Sequence, residues 1–278
     1  MILSFGSSSE GPQGTALALS VPSLVALLCY AAAALPGARY ATPRRTALLL
    51  AWLAQGAAIV IDIAGFGAPV SGARFGFAPA LSVTLWLVLA VYGLESRFVP
   101  LHGARWRLAL LGCAVVALAW AFPGQSHPQA ASRWAPLHWL LGIASYGLFG
   151  VAVLHAAMLN RAERLLRKTP AAPGPAGGVP LLRLERLTYR FVAAGFAMLS
   201  AAILLGAWFA SPWRWDHKTV FSILGWIVFA ALLAGRRAFG WRGPQATRWL
   251  YLGAGLLLLG YVGSRFVFEV LLHRMPTA

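Results

Sequence analysis

Eight runs of 17 to 25 largely apolar residues, separated by short charged or Gly/Pro-rich stretches, constrain this chain more than any other feature of its sequence. They are Thr15 to Leu35, Thr46 to Phe66, Pro79 to Ser96, Trp106 to Phe122, Leu137 to Asn160, Thr188 to Ala210, Thr219 to Gly235 and Arg248 to Leu272. About 20 apolar residues in a helix cross the roughly 30 Å hydrocarbon layer of a bilayer. Lipid offers the backbone no hydrogen-bond partner, so each run has to satisfy its own amides and carbonyls as a helix. The expected fold is therefore all-α, a polytopic integral membrane protein built as one bundle of eight transmembrane helices over residues 1–278. The composition agrees, with 59% apolar and 11% charged residues and a mean hydropathy of +0.71. Soluble domains carry about 25% charged residues. No cleavable leader is expected, because the start of the chain lacks a basic region and includes Glu10.

Lys and Arg outnumber Asp and Glu by 23 to 7, a formal charge of +16. In a soluble chain that excess would point to nucleic acid. Here 17 of the 23 fall in the loops after the first, third, fifth and seventh runs, five fall in the other loops and tails, and Arg265 falls inside the last run. Cytoplasmic loops collect Lys and Arg, so the split predicts both termini on the periplasmic side of a bacterial inner membrane. Membrane lipid is the expected partner of the basic helix ends RAERLLRK and LLRLERLTYR, and no nucleic acid is expected. Between those ends lies the Pro/Gly/Ala linker 169–180, which separates five runs from three.

No nucleophile elbow, phosphate-binding loop, dinucleotide fingerprint or HExxH motif occurs, so the chain does not read as an enzyme. Cys29 and Cys113 sit inside apolar runs and read as small buried hydrophobes. The unusual chemistry is on the predicted outer face. The loop between the sixth and seventh runs holds Trp208, Trp213, Arg214, Trp215, Asp216, His217 and Lys218; the loop between the fourth and fifth holds His127, Arg133, Trp134 and His138. Tryptophan is common at membrane interfaces, which makes an aromatic belt the plain reading. The sharper reading is a shelf for a flat, aromatic, anionic ligand: indoles stacked on its face, Arg214, Lys218 or Arg265 at its carboxylates, and an imidazole on a central metal. Haem fits that description. His138 is the leading axial-ligand candidate and His217 the second. His155 lies 17 residues after His138, about 25 Å along a helix, and reads as a neutral packing residue that cannot share a metal with it. His127 reads as solvated and Glu95 as an interfacial ion pair beside Arg97. Asp62 and Arg265 are ionisable residues near the outer ends of their runs, where a charge is costly to bury.

The segment from Tyr189 to Arg242 resembles the cytochrome c assembly protein family, which includes the CcsA, HemX and YpjD types. The resemblance rests on Tyr189, Arg190, Gly195 and Phe196, then Gly206 and Trp208, then Trp213, Trp215, Asp216 and Lys218, then Trp226, and on Gly240, Trp241 and Gly243 before the last run. It extends to the fifth run, PLHWLLGIASYGLFGVAVLHAAM, through His138, Ser145 and Tyr146, covers about 137–270, and is looser over the N-terminal half, where RFGFAPALS and LESR look most like the YpjD type. Membership implies haem presented at the outer surface on the Trp-rich segment, with histidines ligating it, and a further assembly subunit or an apocytochrome as partner. The sequence departs from the haem-delivering members at His217-Lys218-Thr219, Ala234-Gly235-Arg236 and Gly263-Ser264-Arg265, where two histidines of the family pattern are missing. These departures favour a second reading, a haem-free membrane scaffold or regulatory subunit; a third is a small-molecule transporter using Asp62 and Arg265 in a central cavity.

Overall fold

The computed structural model describes residues 12–35, 41–64, 73–96, 104–122, 125–127, 134–168, 181–209 and 215–263. Among them the eight apolar runs become eight α-helices: α1 Pro12–Ala34, α2 Ala41–Ala64, α3 Phe77–Glu95, α4 Arg105–Ala121, α5 Ala135–Lys168, α6 Leu181–Phe209, α7 His217–Phe239 and α8 Gly243–Leu258. Helix α8 runs on into a π-helical turn, Leu259–Gly263. By length and composition α2, α3, α5, α6 and α7 can each cross a membrane; α4 has 17 residues and α8 has 16 before its π turn. The chain is a multi-pass membrane protein, and its surface agrees: Leu28 and Leu204 are both 71% exposed, as side chains facing lipid should be.

Helices α5 and α6 outrun their apolar stretches at the ends that face the 169–180 linker. Helix α5 continues past Asn160 to Lys168, and α6 begins at Leu181 rather than near Thr188. Hydropathy marks where lipid ends. The Arg, Leu and Glu of these flanks are strong helix formers, so the helices continue into the polar region. The linker itself lies outside the described residues. Two short strands were not foreseen. Strand β1, Ala73–Phe75, precedes α3, and β2, Gln125–His127, precedes α5; they pair antiparallel with Ala73 opposite His127, so His127 stands in a strand rather than a free loop.

The helices form two groups of four, each around its own core. One core joins α1 to α4 through Ala26, Tyr30, Ala51, Leu89, Leu108 and Val116; the other joins α5 to α8 through Phe149, Val192, Phe229, Leu232, Leu250 and Leu257. The groups meet along α3 and α5, where glycines allow close approach. A Cβ on Gly147 would lie 2.7 Å from the Leu87 Cδ1, and one on Gly150 would lie 2.8 Å from the Val88 Cγ2. Polar bonds fix the register inside the first group. The Tyr30 hydroxyl donates to the Gln55 carbonyl oxygen, and the Gln55 amide donates to the Ser82 Oγ at 3.0 Å, all three side chains being buried. Trp52 and Trp86 stack at 4.7 Å, and each indole N–H donates to the other residue's carbonyl, at 3.0 and 2.9 Å.

Neighbouring helices of the second group run antiparallel, which gives it two chemically distinct ends. The Trp end gathers the start of α5, the end of α6, the start of α7 and the π turn. The Arg end gathers the end of α5, the start of α6, the end of α7 and the start of α8.

Candidate functional site at the Trp end

His138 lies one turn into α5 and packs on α6. Its Nδ1 is 2.9 Å from the carbonyl oxygen of Ala202. A carbonyl only accepts, so Nδ1 carries the proton and Nε2 is the nitrogen with the lone pair in the neutral ring. Metal-ligating imidazoles are commonly oriented in this way, by a carbonyl on the ring N–H that faces away from the metal. The ring fits because α6 has no side chain beside it: a Cβ on Gly206 would come within 3.0 Å of the His138 Cε1. In the sequence Gly206 is visible only as part of a motif; in the structure it makes room for the His138 ring.

Beyond Gly206 the end of α6 carries Trp208, 85% exposed, and the start of α7 is preceded by Trp215, 72% exposed. Large indoles this open at a helix end suit an interface or a flat ligand. Asp216 is the N-cap of α7. Its Oδ1 accepts from the Thr219 backbone N–H and from the Thr219 hydroxyl, each at 2.8 Å. Burial pushes this carboxyl upward, but the two Thr219 hydrogen bonds and the nearby Lys218 and His217 outweigh it, so the acid stays below its ordinary 3.8. The cap fixes the first turn of α7, whose first residue is the exposed His217 and whose second is the half-buried Lys218. The structure thus brings His138, Trp208, Trp215, Asp216, His217 and Lys218 to one end of the bundle. Trp213, Arg214 and Arg265 lie outside the described residues. Among the described residues no group of three His, Cys, Asp or Glu side chains is arranged to hold a bare metal ion. A haem iron needs only one or two protein ligands, so the donor set at His138 fits haem better than an isolated ion.

Two residues of this end were not read as part of the site. The Tyr146 hydroxyl, from α5, donates to the Leu257 carbonyl at 2.7 Å, and Tyr261 of the π turn lies edge-on to Tyr146 with ring centroids 6.4 Å apart. The Lys218 Nζ is 6.0 Å from the centre of the Tyr261 ring. The Ser145-Tyr146 step was visible in the sequence; its reach to α8 was not.

The other motif residues serve packing. Gly195 lets Phe149 approach α6, with a built Cβ 3.0 Å from the ring, and Phe196 stacks on Trp226, whose Nε1 donates to the Ser200 hydroxyl at 2.8 Å. At the Arg end the Tyr189 hydroxyl donates to the Trp241 carbonyl at 2.7 Å, and the Arg236 guanidinium lies 3.5 Å above the Tyr189 ring. Glu185 is bound by Arg236 at 3.1 Å and Arg242 at 3.2 Å. Gly240, at φ 65°, closes α7 in the left-handed conformation that spares glycine a steric penalty.

His155 is buried, as expected of a packing residue; its Nδ1 donates to the Val151 carbonyl at 2.8 Å and its ring stacks on Phe191. Its Nε2 lies 2.8 Å from the Glu95 Oε2, a contact that is an ion pair only with the imidazole protonated and that is not a well-directed hydrogen bond. Glu95 was expected to pair at the interface beside Arg97, which lies outside the described residues; across the α3–α5 seam it also meets His155. Cys29 and Cys113 are half-buried free thiols, in line with the packing role.

The model of the Cytochrome C assembly protein family matches residues 45–272. An uncharacterised 28.8 kDa protein from the nifR3-like 5' region of Azospirillum brasilense is 28% identical over 228 residues, covering 76% of this chain and 84% of that protein. A cytochrome c biogenesis protein CcsA from Synechococcus strain JA-3-3Ab is 34% identical over 109 residues, 35% of this chain and 31% of its own length. Another CcsA, from Synechococcus strain CC9902, is 29% identical over 188 residues, covering 55% of this chain and 60% of that protein. The chain thus spans about a third to three fifths of the CcsA proteins it matches. No solved structure matches it.

Proposed function

This chain belongs to the cytochrome c assembly protein family, and from that premise we propose that it is a non-enzymatic accessory of cytochrome c assembly that holds haem at its Trp end. In this reading all eight helices span the bacterial inner membrane, both termini are periplasmic, and the Trp end faces the periplasm. The partner is a further assembly subunit or an apocytochrome. The observation that carries the reading is His138: its Nδ1–H is fixed on the Ala202 carbonyl at 2.9 Å, which leaves Nε2 as the ligating nitrogen. His217 is the second ligand candidate. Trp208, Trp213 and Trp215 frame the macrocycle, Arg214, Lys218 and Arg265 meet its carboxylates, and Asp216 orders the turn that presents His217 and Lys218. Bound haem supplies a redox-active iron. The chain supplies an oriented imidazole, aromatic surface and positive charge.

The test is the absorption spectrum of the purified protein, oxidised and reduced, in the wild type and in the double variant His138→Ala, His217→Ala. The wild type is expected to copurify with a Soret band and the double variant to lose it. An undiminished, stoichiometric Soret band in the double variant sinks the assignment.

One observation favours a second reading, a haem-free scaffold. Where the family pattern carries a histidine near the end of α7, this chain has Ala234-Gly235-Arg236, and the Trp241 ring closes over Gly235 so tightly that a Cβ there would sit 2.4 Å from the indole. A side chain at position 235 would have to displace that ring. Copurification of a stable protein partner with no Soret band would establish the scaffold instead.

A further inference from the structure

We propose that Tyr146 is a positioning residue of the Trp end: by taking the Leu257 carbonyl it sets the π turn of α8, and the π turn in turn holds Lys218 where it meets the carboxylate edge of the ligand. The inference rests on the haem-holding reading and adds to it the device that places one of its cations.

The argument starts from the backbone. In an α-helix the Leu257 carbonyl would accept from the amide of Tyr261, four residues on. Here the Tyr146 hydroxyl donates to that carbonyl at 2.7 Å, and α spacing gives way to π spacing at Leu259, two residues later. Single π turns are frequent at functional sites, and a side chain inserted into the helical ladder is a known cause of a local break in it. The wider turn brings Gly260 onto α7, where a Cβ would lie 2.8 Å from the Phe221 Cβ, and it carries Tyr261 between Tyr146 and Lys218. The Tyr261 ring is edge-on to Tyr146 at 6.4 Å, and the Lys218 Nζ stands 6.0 Å from its centre, within reach of a cation–π attraction. A continuous line therefore runs from α5, two turns beyond His138, through the end of α8 to the start of α7. The same helix that presents the ligating imidazole also fixes the distance to a cation, as a ligand with a metal centre and an anionic edge requires.

Lys168 and Lys218 are the only lysines in the sequence, so amine labelling reads Lys218 against an internal control. The experiment compares wild type, Tyr146→Phe and Tyr261→Leu in two ways. The first is the Lys218 to Lys168 labelling ratio with an amine-reactive ester, read by mass spectrometry without added haem. The second is binding of haem and of haem dimethyl ester, whose carboxylates are blocked. Both variants should raise the labelling ratio about two- to fivefold, the weight of a half-exposed cation–π contact. Both should keep the Soret position set by His138 and lose most of the wild-type preference for haem over its diester. Wild-type labelling and wild-type preference in Tyr146→Phe, with Tyr261→Leu likewise unchanged, overturn the inference. If the wild type binds neither compound, the haem reading fails, while the labelling ratio still decides whether Tyr146 holds Lys218.

Discussion

The two ends of the α5–α8 group are built from similar residues and do opposite things with them. At the Arg end the central polar groups are partnered inside the protein: Glu185 with two guanidinium groups, Tyr189 with the Trp241 carbonyl, Arg236 on the Tyr189 ring. Trp241 there is stacked on Phe239 and Trp249. At the Trp end the indoles of Trp208 and Trp215 are 85% and 72% exposed, and the imidazole of His138 is oriented by the Ala202 carbonyl. Aromatic and charged residues at a helix end are therefore no sign of a site by themselves. Paired with each other they lock helices together, and left open around an oriented donor they make a surface that can take a ligand.

The contrast can be broken by experiment. The largest effect is expected from Gly206→Leu, which puts a side chain where the His138 ring lies. Loss of an orienting contact of this kind costs about 10- to 100-fold in affinity for the metal group, so haem affinity should fall by that factor. Unchanged haem affinity in Gly206→Leu would separate His138 from the site. Next is Glu185→Ala at the Arg end, which leaves Arg236 facing an emptied acceptor. Glu185 is only 14% exposed, and hydrogen bonds to charged groups contribute about 1.5–3 kcal/mol each before the exposure of Arg242 is discounted. A drop in denaturation midpoint with an unaltered haem spectrum is expected; a lost Soret band would show that the ends are coupled and the contrast false. The smallest effect is expected from Asp216→Ala, which removes an exposed helix cap worth about 1 kcal/mol. Because the folded carboxyl lies below its ordinary 3.8, its contribution is present above that value and fades only as the pH falls through the lower folded pKa. The stability gap between wild type and Asp216→Ala should thus be constant near neutral pH and close only in acid below about pH 4.

Much of the fold was legible because the bilayer reduces folding to a question of length and polarity. Helix α3 was expected at Pro79 to Ser96 and is found at Phe77–Glu95; α7 was expected at Thr219 to Gly235 and is found at His217–Phe239. The errors lie where lipid is no longer the constraint, as at the start of α6, and where two loops pair as β1 and β2. At the candidate site His138 stood out by its residue type and its place at the head of an apolar run. Its partner did not, because the partner is a backbone carbonyl, Ala202, 64 positions away. Asp216 was legible as part of the Trp-rich motif beside His217 and Lys218; that its oxygen closes the first turn of α7 on Thr219, a spacing of three residues that suits an N-cap, is a finding of the structure. Glu95 and His155 each had a local reading, and only the α3–α5 seam brought them together.

By itself, then, the sequence determined eight helices, their lipid-facing character, the asymmetry of charge between their loops and the set of residues that cluster at one end. Those follow from local composition and from the cost of an unpaired backbone in lipid. The tertiary structure decided which nitrogen of His138 meets the Ala202 carbonyl, how closely that ring packs on Gly206, that Tyr146 reaches Leu257 two residues before a π turn, and which Trp and Arg residues pack on one another at the Arg end. Each of these is a contact between helices, fixed by antiparallel packing and by single atoms within about 3 Å, and no pattern along one helix records what the next will place against it.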